Sequence, residues 1–204
     1  MEAFRSLCGE TRKEVDGMNR WERQLLDLIQ KKGRSPKRDK FMTAVSRAGD
    51  KGVVWLALTG ALGVRRKTRK TSTALSLALA LDAASCNLVL KPLTDRLRPC
   101  DRNPSVPLLV ERPTDPSFPS GHTTAAFAVT TGLYKNGSKL WVPSLGMALL
   151  TATSRMYLYL HYPSDVVAGG LLGTFVGCMG TRLNEKCWSR KDKASGRGKG
   201  GRAA

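Results

Sequence analysis

Little in this chain of 204 residues could build a metal cage or a disulfide framework. It has two histidines and five cysteines. Cys8, Cys86, Cys100, Cys178 and Cys187 are odd in number and widely scattered, with no C-x-x-C pair, which speaks against a disulfide scaffold and a zinc ribbon. Two histidines are too few for a His-rich metal site, and no Asp/Glu/His cluster stands out. No metal and no cofactor is expected. Acidic residues are scarce as well: 16 Asp+Glu stand against 34 Lys+Arg, a net charge of +18. An apolar h-region is missing from Met1 to Gly17, so no cleavable signal peptide is expected.

What is present is segregated. The mean hydropathy of −0.26 averages over polar ends and nearly charge-free runs between them. Within 1–40, a polar segment of mixed charge, residues 19–32 read as an amphipathic helix. Trp21, Leu25, Leu28 and Ile29 form one face, with Glu22, Arg23 and Lys31 elsewhere. Such a helix either lies on a membrane surface with Trp21 at headgroup level or packs on the rest of the protein. A linker at Gly33–Lys40 leads to a second expected surface helix, Phe41–Ala48.

Five apolar segments follow: Val53–Val64, Thr71–Leu90, Gly121–Tyr134, Leu140–Leu160 and Val166–Thr181. Several fall short of the ~20 residues that a perpendicular span needs. A compact soluble helical core is therefore the competing reading. Five such runs in succession, and Gly169, Gly173 and Gly177 at the spacing of close membrane-helix packing, favour a bilayer. The expected fold is all-α, an integral membrane bundle of about five spanning helices, or four if Val53–Val64 proves too short. The bundle domain is placed at 41–184, and 185–204 is read as a basic, disordered tail.

Charge orients the bundle. The connector Arg65–Lys70 holds five Lys/Arg, Lys135–Lys139 holds two, and the chain after Thr181 holds eight. All three fall on one side, which the positive-inside rule makes the cytoplasm. The loop 91–120 and the turn His161–Ser164 fall on the outer side. The first 40 residues belong there too, although their 11 Lys/Arg against 7 Asp/Glu run against the rule.

Three clusters sit at helix ends on that outer side. In Lys91-Pro-Leu-Thr-Asp-Arg-Leu-Arg98-Pro99, the two cations lie two helical turns apart and so could share a face. In Pro119-Ser120-Gly121-His122, a glycine opens an apolar helix whose free N–H groups suit phosphate oxygens. The third, Ser154-Arg155-x5-His161-x3-Asp165, places Pro163 at a first helical position and Asp165 in the first turn. Taken singly, each residue has an ordinary role: flanking charge, N-cap, terminal histidine, dipole partner. Together they gather cations, N–H donors, a nucleophile and a proton donor, which is what phosphoryl transfer without a metal requires.

These stretches match K-x6-R-P, P-S-G-H and S-R-x5-H-x3-D at every position, and over roughly Val53 to Thr181 the chain resembles the type 2 phosphatidic acid phosphatase (lipid phosphate phosphatase) superfamily. Six-span bacterial members have a further N-terminal spanning helix, for which this chain offers only amphipathic ones. The resemblance implies that His161 attacks phosphorus to give a phosphohistidine. It implies that Asp165 orients His161 and that His122 protonates the leaving oxygen and then activates water. Lys91, Arg98, Ser120, Gly121 and Arg155 would hold the phosphoryl oxygens. For Arg96, Arg102 and Arg112, headgroup binding competes with a solvated-loop role, which is favoured. Cys100 is read as incidental, and Asp82 and Asn87 as interhelical hydrogen-bonders.

The implied activity is hydrolysis of a lipid phosphate or diphosphate at the outer leaflet of the cell membrane, with undecaprenyl diphosphate the first candidate. Phosphatidylglycerophosphate or phosphatidate is the alternative. A vanadium haloperoxidase would share the oxyanion constellation but is typically soluble and larger. The net charge also raises a nucleic-acid binder. The segregation of cations by membrane side opposes it, so membrane lipids rather than nucleic acid are the expected partners.

Overall fold

The computed structural model describes residues 20–194, and within them it is helical without a strand. Residues 1–19 and 195–204, including Cys8 and about half of both the expected N-terminal segment (1–40) and the basic tail (185–204), lie outside the described residues. Helix α1 (Arg20–Leu28) ends in a wider π-type turn, Ile29–Gly33. Helix α2 (Pro36–Gly49) begins earlier than expected. Ser35 caps it, its Oγ accepting from the Arg38 N–H at 3.4 Å, and Pro36 sits at the first position, where its missing N–H costs nothing. The expected linker shrinks accordingly to Arg34 and Ser35.

Helix α3 (Val53–Val64) and helix α4 (Arg69–Ala83) follow. The rod that starts with α4 continues through a π-type stretch, Ala84–Leu90, into the short α5 (Lys91–Thr94). It ends at Asp95, whose φ of 39° is left-handed, so the chain turns away before the short α6 (Pro99–Arg102). Lys91 and Arg98 therefore do not share a helical face. Arg98 is an extended residue at the start of α6 and meets Lys91 by chain reversal. Helices α7 (Gly121–Lys135), α8 (Trp141–Tyr157) and α9 (Pro163–Ala194) complete the bundle. The expected disordered tail differs here too, since α9 carries residues 185–194 as helix.

Helix α9 packs along α7 and α4 through its glycines. A Cβ at Gly177 would lie 2.6 Å from the Ala128 carbonyl oxygen, and one at Gly169 would lie 2.8 Å from that of Ser120. Glycine is required because backbone meets backbone. Two helical stretches, Arg66–Arg102 and Pro163–Arg190, are long and apolar enough to cross a bilayer, and Val53–Val64 is a shorter apolar helix.

The two ends of the bundle differ. At one, the Asn184 amide donates to the Lys70 carbonyl at 2.8 Å, Thr73 bonds Asn184, and Asn136 reaches Thr181, so the three basic segments share that end. At the other, α1 lies against the α8–α9 loop. Leu26 is buried among Tyr157, Leu158, Tyr159, Leu160 and Tyr162, together with Cys100, which is thus a core residue. Trp21, Leu25 and Leu28 are exposed, and the buried charged residue of α1 is Glu22.

Candidate active site

The site forms where α5, the following loop, the start of α7 and the α8–α9 loop meet. A cavity of about 750 Å³ opens there, and its wall includes Lys91, Arg98, Gly121, His122, Arg155 and His161. Ser120 and Asp165, both fully buried, lie behind that wall.

His161 hangs in the α8–α9 loop, anchored by the N–H groups of Leu160 and His161 on the Arg155 carbonyl. Its Nδ1 lies 2.7 Å from the Ser117 carbonyl oxygen. A carbonyl only accepts, so Nδ1 carries the proton and Nε2 bears the lone pair. Nε2 faces Arg98 Nη1 at 2.9 Å. Burial, and then the guanidiniums of Arg98 and Arg155, hold this imidazole well below its usual pKa, so it stays neutral. A neutral ring with an unprotonated, inward-facing Nε2 is the form a nucleophile needs.

Asp165 in the first turn of α9 accepts from the Tyr162 N–H at 2.8 Å, from Ser117 Oγ at 2.5 Å and from Arg96. Its nearer oxygen is 3.6 Å from His161 Nδ1. The ring's direct acceptor is thus the Ser117 carbonyl, and Asp165 fixes Ser117 through the hydroxyl of the same residue.

Arg98 donates from Nε to the Asp115 carbonyl at 2.9 Å, from Nη1 to the Leu160 carbonyl at 3.0 Å, and from Nη2 to the Asp115 carboxylate at 2.9 Å. Lys91 bonds the other Asp115 oxygen. Partial burial raises the Asp115 pKa, but the Lys91 hydrogen bond and the charges of Arg98 and Lys91 outweigh it, to about 2. Lys91 also stands beside the start of α7, where a Cβ at Gly121 would lie 3.9 Å from Nζ, in ordinary contact. His122 Nε2 is 3.0 Å from Asp50, and Gly49 packs on its ring edge. Arg155 donates to Ser46 Oγ, while its buried Nε has no partner. Such a donor suits an incoming oxyanion.

Ser120 does not reach the cavity. Its Oγ pairs with Thr123 Oγ1 at 3.0 Å, and its N–H donates to the Asp165 carbonyl, tying the starts of α7 and α9 together. Asp82 also departs from expectation: it lines the cavity, and its buried Oδ1 has no hydrogen bond, interhelical or otherwise. Arg96 is no solvated-loop residue but lies between Glu22 and Asp165 over the Tyr162 ring. Arg112 pairs with Asp101 at the surface.

Sequence reasoning missed Asp115, Ser117, Asp50 and Glu22. Asp115 and Ser117 precede the P-S-G-H turn by a few residues, and that adjacency was their only signal. Asp50 and Glu22 come from segments far away in the chain and gave none.

Residues 71–189 match the family model described as the PAP2 superfamily. The chain is 32% identical over 147 residues to an undecaprenyl-diphosphatase of Sulfolobus acidocaldarius, covering 70% of this chain and 69% of that protein. The solved structure of Aquifex aeolicus LpxE superposes with a TM-score of 0.67 at 32% identity, covering 78% of this chain and 93% of that one. The transmembrane PAP2-type phosphatidylglycerolphosphate phosphatase of Bacillus subtilis does so with 0.66 at 26% identity, covering 85% and 87%.

Proposed function

Since the chain belongs to the PAP2 superfamily, whose members hydrolyse lipid phosphate esters in membranes, we propose that it removes phosphate from a polyprenyl diphosphate, with undecaprenyl diphosphate as its substrate. One observation carries the reading: a neutral, buried His161 presents Nε2 to a cavity walled by Lys91, Arg98 and Arg155.

In this reading Nε2 attacks phosphorus while the three cations and the first-turn N–H groups of α7 take the non-bridging oxygens. The bond to the leaving oxygen breaks, and that oxygen takes its proton from His122. The phosphohistidine keeps its Nδ1–H on Ser117. His122, now a base, draws a proton from water, whose oxygen attacks phosphorus and frees inorganic phosphate and Nε2. Asp165 acts from behind the ring. The donors gathered here are cations and imidazoles, the set that suits an oxyanion, so hydrolysis is expected to persist in EDTA. Activity lost in EDTA and restored by Mg²⁺ overturns this mechanism.

The basic end of the bundle belongs in the cytoplasm and the cavity at the outer leaflet, with α3, α4, α7, α8 and α9 as the five spans. The domain runs over 41–184. Helix α1 lies on the outer surface through Trp21, Leu25 and Leu28. In a background without native cysteines, Ser105→Cys in intact cells should react with an impermeant thiol reagent and Thr68→Cys should not. The reverse overturns the orientation.

Phosphatidylglycerophosphate is the second reading, favoured by the extent of the match to the Bacillus subtilis structure. Purified protein assayed on both lipids and on phosphatidate decides between them. A higher kcat/KM on undecaprenyl diphosphate is expected, and a higher value on either phospholipid overturns the choice.

A further inference from the structure

Glu22 is the least expected charge in the molecule. It lies on α1, outside the stretch that matches the family, yet it is only 2% exposed. Its Oε1 accepts from the Ser164 N–H at 2.8 Å, in the first turn of α9, one residue from Asp165. Its Oε2 accepts from Arg96 Nη2 at 2.9 Å. Arg96 Nη1 donates to Asp165 and to Ser164 Oγ, and the guanidinium stacks 4.3 Å from the centre of the Tyr162 ring. One cation is thus held in a fork between two buried carboxylates, and its plane is fixed by an aromatic face.

A buried carboxylate without a counter-charge is strongly unfavourable, so Arg96 answers the Asp165 charge. Sharing that cation with Glu22 prevents full neutralisation, and Asp165 keeps negative potential toward His161. That potential matters most when the imidazole carries the phosphoryl group and becomes electron-poor. Glu22 also fixes the first turn of α9 from which Asp165 projects. We propose that Glu22 and Arg96 are positioning residues that act through Asp165 on His161, making α1 a working part of the catalytic unit. The proposal rests on the phosphatase reading given above.

The test is a double-mutant cycle on the full chain in detergent, reading phosphate release from farnesyl diphosphate. Glu22→Gln should lower kcat roughly 2- to 30-fold, the range of couplings transmitted through a neighbour, and leave KM within about twofold. In an Asp165→Asn background the same change should have almost no effect, because the residue it acts through is gone. Glu22→Asp should recover part of the loss. A structural role would lower both backgrounds alike, so equal losses overturn the proposal, as does an unchanged kcat. If Glu22→Gln fails to fold, Arg96→Lys, which retains the charge but loses the fork, carries the same cycle with the same two outcomes. A wild type that releases no phosphate defeats the phosphatase reading itself, and one that releases it with no need for His161 defeats the mechanism given above. A His161-dependent wild type with equal losses defeats only this inference.

Discussion

Two carboxylates approach the His161–Arg98 pair from opposite sides, and the protein holds them differently. Asp165 is fully buried, with a backbone N–H, a hydroxyl and a guanidinium all donating to it. Asp115 is 43% exposed and bridges Lys91 and Arg98, the two cations expected to receive phosphate. Asp165 cannot leave without abandoning donors that nothing else would satisfy. Asp115 can swing to water, where its charge is readily solvated. The contrast teaches that the same functional group is framework when dry and exchangeable when wet.

The sharpest way to break this contrast is Asp165→Asn. The amide retains the shape but loses the charge and presents a donor to neighbours that donate. The kcat should fall by about 10³–10⁴-fold, the scale seen when the acid behind a catalytic histidine loses its charge. Radiolabelled phosphate release over long incubations measures it. A loss below tenfold would place the whole orienting role on the Ser117 carbonyl.

His122 stands on the wet side, paired with the exposed Asp50. His122→Ala should cost about 10²–10⁴-fold on a lipid monophosphate, where the leaving group is an alkoxide. The loss should shrink on p-nitrophenyl phosphate or a lipid diphosphate, whose leaving groups need less protonation. His161→Ala should abolish turnover on all three. If the two variants lose equally across leaving groups, His122 is not the acid.

Which residues are readable from the sequence follows distance along the chain rather than burial. The helical class, Lys91, Arg98, His122, Arg155 and His161 were legible because their signals are local: apolar runs and short motifs. The seven-residue spacing of Lys91 and Arg98 suggests one helical face, whereas the left-handed Asp95 ends that helix and a chain reversal brings the two together. The glycine spacing of α9 showed a close helix contact but not its partners, which are α7 and α4. Arg96 looked solvated because its partners, Glu22 and Asp165, are 74 and 69 residues away. Contacts between distant segments leave no local pattern, so the partners drawn from outside the motifs, dry Glu22 and exposed Asp50 alike, were the hidden part.

Acid titration separates the two carboxylates by a smaller effect. The Asp115 pKa is depressed to about 2 from an ordinary value of about 3.9. A depressed acid contributes stability that is complete above its unfolded pKa and is lost as pH falls through its folded one. Wild type should therefore be more thermostable than Asp115→Asn above about pH 4, and the gap should close toward pH 2. Solvent screening of so exposed a pair limits the gap to roughly 1 kcal/mol. Thermal unfolding in detergent at pH 2.5, 4 and 7 checks it, and a gap that widens with acid contradicts the sign.

The smallest effect tests whether Asp115 gives way to substrate. Its two oxygens engage the donors of Lys91 and Arg98 that a phosphoryl group would use, so carboxylate and oxyanion compete for the same cations. Asp115→Asn removes the competing charge but retains the side-chain size, leaving both cations more attractive to an anion. Inorganic vanadate, which adopts the five-coordinate geometry of the transition state, should then inhibit about three- to fivefold more tightly, on the order of 0.6–1 kcal/mol. The opposite arrangement makes the opposite prediction. If Asp115 held the two cations in place with substrate bound, its loss would let them drift apart and the vanadate inhibition constant would rise. Measuring that constant for wild type and Asp115→Asn at one pH and ionic strength distinguishes an exchangeable carboxylate from a permanent one by the sign of the change alone.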